Sequence, residues 1–338
     1  MDAVSPPLVS VLLPVWNAET TLGVCLRSVQ RQTEQRWQCV MVDDGSQDGS
    51  LALARWFAAR DPRFIVVATP HRGLVSALNT GLAYCQGRFI ARMDADDVMH
   101  RQRLTAQVQA MAEQPDLVAV GCHVRCFPRR HLQDGFRAYE RWLNSINTVE
   151  SVQREAFVEC PMAHPTLLIR REVLTALEYR DCGWPEDYDL LLRLITQGHA
   201  VGVVPQRLLS WRDSPHRLSR ASPVYALERF TACKAAFLAA SFLATSHTYI
   251  LWGYGDTGKA LCQALLAYDK SPVYIVEIHP GRLGNRIHNA RVIPPEALWR
   301  VPRYPVVVSV AGTQPRHAIR QAMAHMGFRE TRDFVCAA

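Results

Sequence analysis

Short unbroken apolar runs alternate along the first part of the chain with segments whose apolar residues recur every three or four positions. The runs cover residues 8–13, 37–42 and 64–68, and a fourth starts at Phe89. Between them lie 20–30, with Leu22, Leu26 and Val29 on one helical face, then 50–60 and 74–85. Runs apolar on both faces and separated by helices predict a parallel, doubly wound sheet. Beyond it the pattern predicts a helix over 101–113 and a strand over 117–121. An irregular Arg- and His-rich stretch follows from 125 to 137, and helical spacing resumes at Arg141. A short strand is expected at 166–169, a helix at 187–197, a polar loop over 211–220 and a helix over 224–243. From Thr248 the alternation restarts, with strands at 249–252, 273–278 and 306–310 and helices at 259–268 and 316–326. At 338 residues the chain is longer than one typical core. The expected division is 1–222, a helical linker over 223–245, and a small Rossmann-like α/β domain over 246–338.

The fourth run ends on Asp94, Asp96 and Asp97. Clustered carboxylates repel one another unless water or a cation takes up their charge. They read either as a solvated loop or helix cap, or as hard oxygen ligands for Mg²⁺ or Mn²⁺ holding a diphosphate. In an open α/β sheet ligands bind beyond the carboxyl ends of the strands. Residues 14–19, Asp43-Asp44 and the Asp94 cluster are all expected on that edge, which favours the metal reading.

Composition adds less. The net charge is +7, and Lys234, Lys259 and Lys270 are the only lysines, so the basic surface is arginine. Such a surface suits phosphates and carboxylates, on nucleic acid or on an anionic membrane. The ten cysteines are scattered through apolar stretches with no C-x-x-C pair, as expected of reduced buried thiols rather than a zinc site. Residues 1–7 lack the features of a signal peptide, and the apolar stretch 235–244 is too short to cross a bilayer. A cytoplasmic chain, in peripheral contact with the inner membrane face or not, is expected.

Four signatures stand in order: Pro14-Val15-Trp16-Asn17-Ala18-Glu19, Val42-Asp43-Asp44-Gly45-Ser46, Asp94-Ala95-Asp96-Asp97 and Pro185-Glu186-Asp187-Tyr188-Asp189-Leu190. Together they resemble the family-two inverting glycosyltransferases of GT-A fold, across roughly 9–220. The resemblance implies that Pro14, Asn17, Glu19 and Asp44 line a nucleoside pocket with Asp43 beside it. It implies that Arg72, Asn79, Arg92 and Asp94 approach base, ribose or diphosphate, and that Asp96 and His216 hold the metal. Asp187 would be the general base, with Glu186 as its rival and helix capping as the structural alternative for both. The implied partners are a nucleotide-sugar donor, a UDP-hexose or UDP-N-acetylhexosamine, and a glycan or tRNA acceptor. A narrower likeness, through Val120-Gly121-Cys122-His123, Tyr139-Glu140-Arg141-Trp142 and Ile250-Leu251-Trp252-Gly253, is to the β-1,3-N-acetylglucosaminyltransferase-like group. That group includes queuosine-tRNA galactosyltransferases.

Gly253-x-Gly255-x-x-Gly258 follows a strand and opens a helix, and Glu277 ends the next strand. This is the context of a dinucleotide fingerprint. A retained nucleotide there and a purely structural unit are both open. Three functions compete: a metal-dependent transferase acting in envelope glycan synthesis or on queuosine tRNA, an inactive nucleotide- or RNA-binding protein, and an NAD-linked oxidoreductase run from the second domain.

Overall fold

The computed structural model describes residues 6–214 and 217–338. The apolar runs become strands and the periodic segments helices. In chain order these are β1 (Val9–Val15), α1 (Glu19–Gln30), β2 (Trp37–Asp44), α2 (Ser50–Ala58), β3 (Phe64–Thr69), α3 (Leu74–Leu82) and β4 (Phe89–Arg92). There follow β5 (Val98–Met99), α4 (Arg103–Glu113), β6 (Leu117–Phe127), α5 (Asp134–Leu143), α6 (Val149–Glu155), β7 (Leu168–Arg170), α7 (Arg171–Leu177), α8 (Glu186–Thr196) and β8 (Ala200–Arg212). The remainder is α9 (Leu218–Ala221), α10 (Leu227–Ala240), β9 (Thr248–Trp252), α11 (Asp256–Leu266), β10 (Ser271–Val276), β11 (Arg286–Ile287), β12 (Ala290–Ile293), β13 (Val306–Val308), α12 (Thr313–His325) and β14 (Phe334–Cys336).

One compact unit takes residues up to 152 with 162–181 and 198–217; a second takes 153–161, 182–197 and 218–338. The units therefore interleave along the chain instead of following the linear division at 222 and 245. Residues 227–240 are not a free linker: α10 packs on α8 and α11 within the second unit.

The first unit is built on an eight-stranded sheet in the order β3-β2-β1-β4-β7-β6-β8-β5. Its first four strands are parallel, as the pattern predicts. The far half is mixed, because β7 runs antiparallel between β4 and β6, and β5 antiparallel to β8. Every residue of β2 is buried, which is why its run carries no polar alternation. Leu22, Cys25, Leu26 and Val29 of α1 join Val11, Leu13, Met41 and Phe57 in one core cluster.

Two expectations fail here. The irregular stretch after 121 is the continuation of β6 to Phe127, followed by α5. The polar loop at 211 begins instead as the end of β8, a thirteen-residue strand. Pro205, Gln206 and Arg207 break its apolar pattern. The sheet absorbs them as a bulge, where Cys122 pairs with Val204 but His123 pairs with Arg207.

The chain turns back at β1. It runs outward through β2 and β3, then returns to place β4 on the other side of β1. The crevice beyond the carboxyl ends of β1 and β4 is the place where such a sheet takes a ligand.

The second unit repeats the device with a six-stranded sheet, β11-β12-β10-β9-β13-β14, parallel except for β11. Two of its three fingerprint glycines answer to packing. Gly253 sits at φ +97, and a Cβ on Gly258 would lie 2.2 Å from the Gly253 carbonyl oxygen, whereas one on Gly255 would meet nothing within 4 Å. Gly258→Ala is expected to destabilise this unit by roughly 1–3 kcal/mol, despite alanine's better helix propensity. Gly255→Ala should be silent in the same thermal unfolding measurement. Equal melting of the two variants would remove the packing account.

Candidate active site

The loops after β1 and β2 are stitched to each other. Asn17, in the left-handed region at φ 48, accepts from Gln47 N–H through Oδ1 at 2.8 Å, and its own N–H donates to Ser46 Oγ at 3.0 Å. Glu19 accepts from Gly49 N–H at 3.1 Å, and the Ala18 N–H donates to Ser50 Oγ at 2.7 Å. These bonds hold Pro14, Asn17 and Glu19 at the carboxyl edge of β1 and β2.

The two aspartates that end β2 differ. Asp44 accepts from the backbone N–H groups of Arg72 and Gly73 at 2.8 and 2.9 Å, and His71 Nδ1 lies 2.8 Å from its carboxylate. Both Asp44 oxygens are thus engaged in holding the 71–73 turn. Asp43 accepts from Ser46 N–H, while its Oδ1 is buried without a partner. The polar atom left over belongs to the residue expected to stand aside. His71 stacks on Trp16 with ring centroids 4.8 Å apart, both rings exposed. This flat face was not anticipated, although Trp16 next to a strand end was its signal. Arg72 is exposed. Asn79 is committed differently from expectation: its amide donates to Tyr179 O and accepts from Tyr179 N–H, both at 2.9 Å.

Beyond β4, carboxylate oxygens of Asp94, Asp96 and Asp97 all lie within 4.8 Å of one another. Buried Arg92 pairs with Asp94. Asp97 accepts from the Arg212 N–H at 2.7 Å, and its other oxygen is buried and unpartnered. Arg212 Nε donates to the Asp96 carbonyl at 2.7 Å. Burial, with the charge of Asp94 added, pushes the Asp96 carboxyl up to about 6. Burial and both neighbouring carboxylates push Asp97 well above the usual carboxylate range. An orphaned buried oxygen within a group of hard, mutually repelling donors fits a divalent cation.

Sequence reasoning missed the supports. Arg103, fully buried on α4, donates to the Arg92 carbonyl at 3.0 Å and to Gln107 Oε1 at 3.0 Å. Gln107 in turn donates to the Val120 and Thr166 carbonyls, tying β4, β6 and the 164–166 turn together. Their signal was a polar pair four residues apart on an apolar helix face. Arg212, expected in a polar loop where it could touch phosphate, ends β8 instead and braces Asp96 and Asp97. His216, expected as a metal ligand, lies outside the described residues.

In the second unit α8 opens with three acids in its first turn. Glu186 is buried and accepts from Tyr225 O–H at 2.6 Å. Asp189 is buried and held by Arg193 Nε at 2.7 Å and Trp184 Nε1 at 3.1 Å. Asp187 accepts from the Tyr188 N–H at 2.8 Å and is the least buried of the three.

In the second unit the acid expected near a ribose already has partners in the chain. Glu277 Oε1 accepts from the N–H groups of Ile278 and His279, and Oε2 accepts from Arg282 at 2.8 Å, so its carboxylate is spent inside the chain. The turn at Gly253, the open space at Gly255 and the close packing at Gly258 are the features that the three glycines of such a fingerprint supply, whether or not a nucleotide is held.

The Glycosyl transferase family 2 model matches residues 10–177. The amylovoran biosynthesis glycosyltransferase AmsE of Erwinia amylovora is 33% identical over 207 residues, covering 60% of this chain and 75% of the relative. The chain belongs to glycosyl transferase family 2. A second relative is the UDP-Glc:alpha-D-GlcNAc-diphosphoundecaprenol beta-1,3-glucosyltransferase WfgD of Escherichia coli. It is 35% identical over 105 residues, which are 31% of this chain and 41% of WfgD. Among solved structures, Staphylococcus aureus TarS in complex with UDP-GlcNAc superposes with TM-score 0.55 at 14% identity, covering 77% of this chain and 72% of that one. The mannosyltransferase PcManGT of Pyrobaculum calidifontis, in complex with GDP-Man and Mn²⁺, gives TM-score 0.50 at 20% identity, covering 78% and 73%. The fold of this glycosyltransferase is GT-A.

Proposed function

We propose that the chain is an inverting, metal-dependent transferase that moves a hexose or N-acetylhexosamine from a UDP-sugar to a hydroxyl of a lipid-linked envelope glycan. The observation that carries this reading is the triad Asp94, Asp96 and Asp97 at the carboxyl end of β4, beside the β1–β4 crevice. The UDP-GlcNAc held by TarS, the Mn²⁺ held by PcManGT and the diphosphoundecaprenol-linked sugar after which WfgD is named support it.

Asp96 and its neighbours would hold Mn²⁺ or Mg²⁺. That ion neutralises a departing diphosphate without a proton transfer. The stitched 14–19 and 43–50 loops with the Trp16–His71 face are the candidate nucleoside end. Asp187 is proposed as the base that takes the acceptor's hydroxyl proton, since Glu186 and Asp189 are buried and Asp187 is the one partly open to solvent. The part of Asp187 rests on its motif and on its surroundings in the second unit. The test is a panel of nucleotide-sugars with Mn²⁺, Mg²⁺ or chelator, offered a polyprenyl-diphosphate-linked sugar and, separately, queuosine-containing tRNA. Transfer to the lipid-linked sugar that stops in chelator is expected. Label in the tRNA alone would replace the glycan as acceptor.

A pH dependence follows from the triad. The folded Asp96 carboxyl sits at about 6, against 3.8 for an unperturbed one. Without a cation, ionisation therefore disfavours the folded state, and stability falls as pH rises from about 4 through 6. A cation needs the ionised form, so it reverses the trend. Mn²⁺ is expected to raise Tm by several degrees at pH 7.5 and by little at pH 5. An equal rise at both would uncouple the Asp96 proton from the ion.

A further inference from the structure

A cavity of about 540 Å³ opens between α1, β5, β6 and β8 of the first unit. Arg27, Arg31, Arg101, Arg125 and Arg207 line it, and no carboxylate does. Their side chains have no carboxylate partner among the described residues. Five like charges around one recess repel each other, and nothing within the described residues neutralises them. Part of the lining is apolar, from Val24, Val98 and Met99.

The β8 bulge at Pro205–Arg207 re-aims Arg207, which also lines an adjoining cavity of about 340 Å³ with Arg141. In that second cavity Glu140 is already paired with Arg129. The recess lies at the β5 edge of the sheet, and β5 follows the metal-site carboxylates directly in the chain.

We propose that the arginine cavity binds phosphate groups borne by a lipid, and so docks the enzyme at the membrane face that presents its acceptor. This rests on the lipid-linked acceptor proposed above. Guanidinium forks suit phosphate oxygens, and the apolar lining suits the lipid side of such a group. A recess of this size, with an apolar part to its lining, suits a headgroup or diphosphate with a lipid chain beside it; the apolar part has no counterpart in a nucleic-acid backbone.

The test is co-sedimentation of the full chain with three kinds of vesicle: phosphatidylcholine alone, with added phosphatidylglycerol, and with added polyprenyl diphosphate. The triple variant Arg27→Gln/Arg101→Gln/Arg125→Gln is compared with Arg229→Gln/Arg291→Gln/Arg329→Gln, which removes the same charge from exposed positions of the second unit. Wild type is expected to bind the phosphate-bearing vesicles. The cavity variant should lose binding by on the order of a hundredfold, and the control by far less. Preference for the polyprenyl diphosphate assigns the acceptor's own diphosphate; equal binding assigns the headgroups. Equal loss in both variants, no vesicle binding by wild type, or binding only of soluble inorganic diphosphate or RNA overturns the proposal. Turnover on a soluble sugar acceptor should be unchanged in the cavity variant, so failure of the transferase reading appears in that assay and not in sedimentation.

Discussion

Asp96→Ala is expected to abolish transfer, with a loss of about three orders of magnitude or more, because several kcal/mol of charge stabilisation depends on the ion it would hold. Metal-dependent nucleotide binding, read by calorimetry with and without Mn²⁺, should vanish with it. The variant should not lose activity by unfolding. The Asp96 carboxyl is destabilised by burial and by Asp94, so its removal relieves repulsion in the ion-free protein. The ion-free melting temperature at pH 7.5 should therefore match or exceed that of wild type. Asp96→Asn should behave alike, since a neutral amide keeps the shape and not the charge. Full activity in excess chelator, or in either variant, would take the metal out of the reaction.

Asp187→Asn is the second large effect. Turnover should fall by roughly two to four orders of magnitude, the range for losing a general base, while donor affinity stays near that of wild type. Glu186→Gln is the comparison. Glu186 is buried against the Tyr225 hydroxyl, so its substitution should lower the melting temperature more than it alters the pH profile of turnover. If Asp187→Asn weakened donor binding and spared turnover, Asp187 would be a binding residue, and Glu186 would become the candidate base.

How much of this was legible in the sequence depended on where each segment's environment comes from. Of the four parallel strands, β2, β1 and β4 are buried on both faces or nearly so and β3, at the edge, is half-buried; the apolar runs announced all four. The Asp94 triad was legible because acids at the end of an apolar run are anomalous in themselves. The far half of the sheet was not. β8 carries Pro205, Gln206 and Arg207 in its middle, and only pairing with β6 and β5 makes a strand of it. Register, not propensity, decides such a segment.

The same division holds among single residues. Periodicity and motif alone determined that two α/β units occur, that a carboxylate triad ends β4, and that glycines open α11. Which acceptor atoms are still open was decided by tertiary contacts. Asp43 and Asp44 are indistinguishable in sequence, yet one holds the 71–73 turn with both oxygens and the other keeps an unpartnered one. Glu277 stands in sequence where a ribose acid would, and only the fold shows Arg282 and two turn amides already bonded to its carboxylate. The arginine cavity draws on α1, the 98–101 segment, β6 and a bulge in β8, segments spread over some 180 positions of the chain. A local pattern reports the face a residue presents; the partner that meets that face comes from a distant segment, and only folding brings the two within bonding distance.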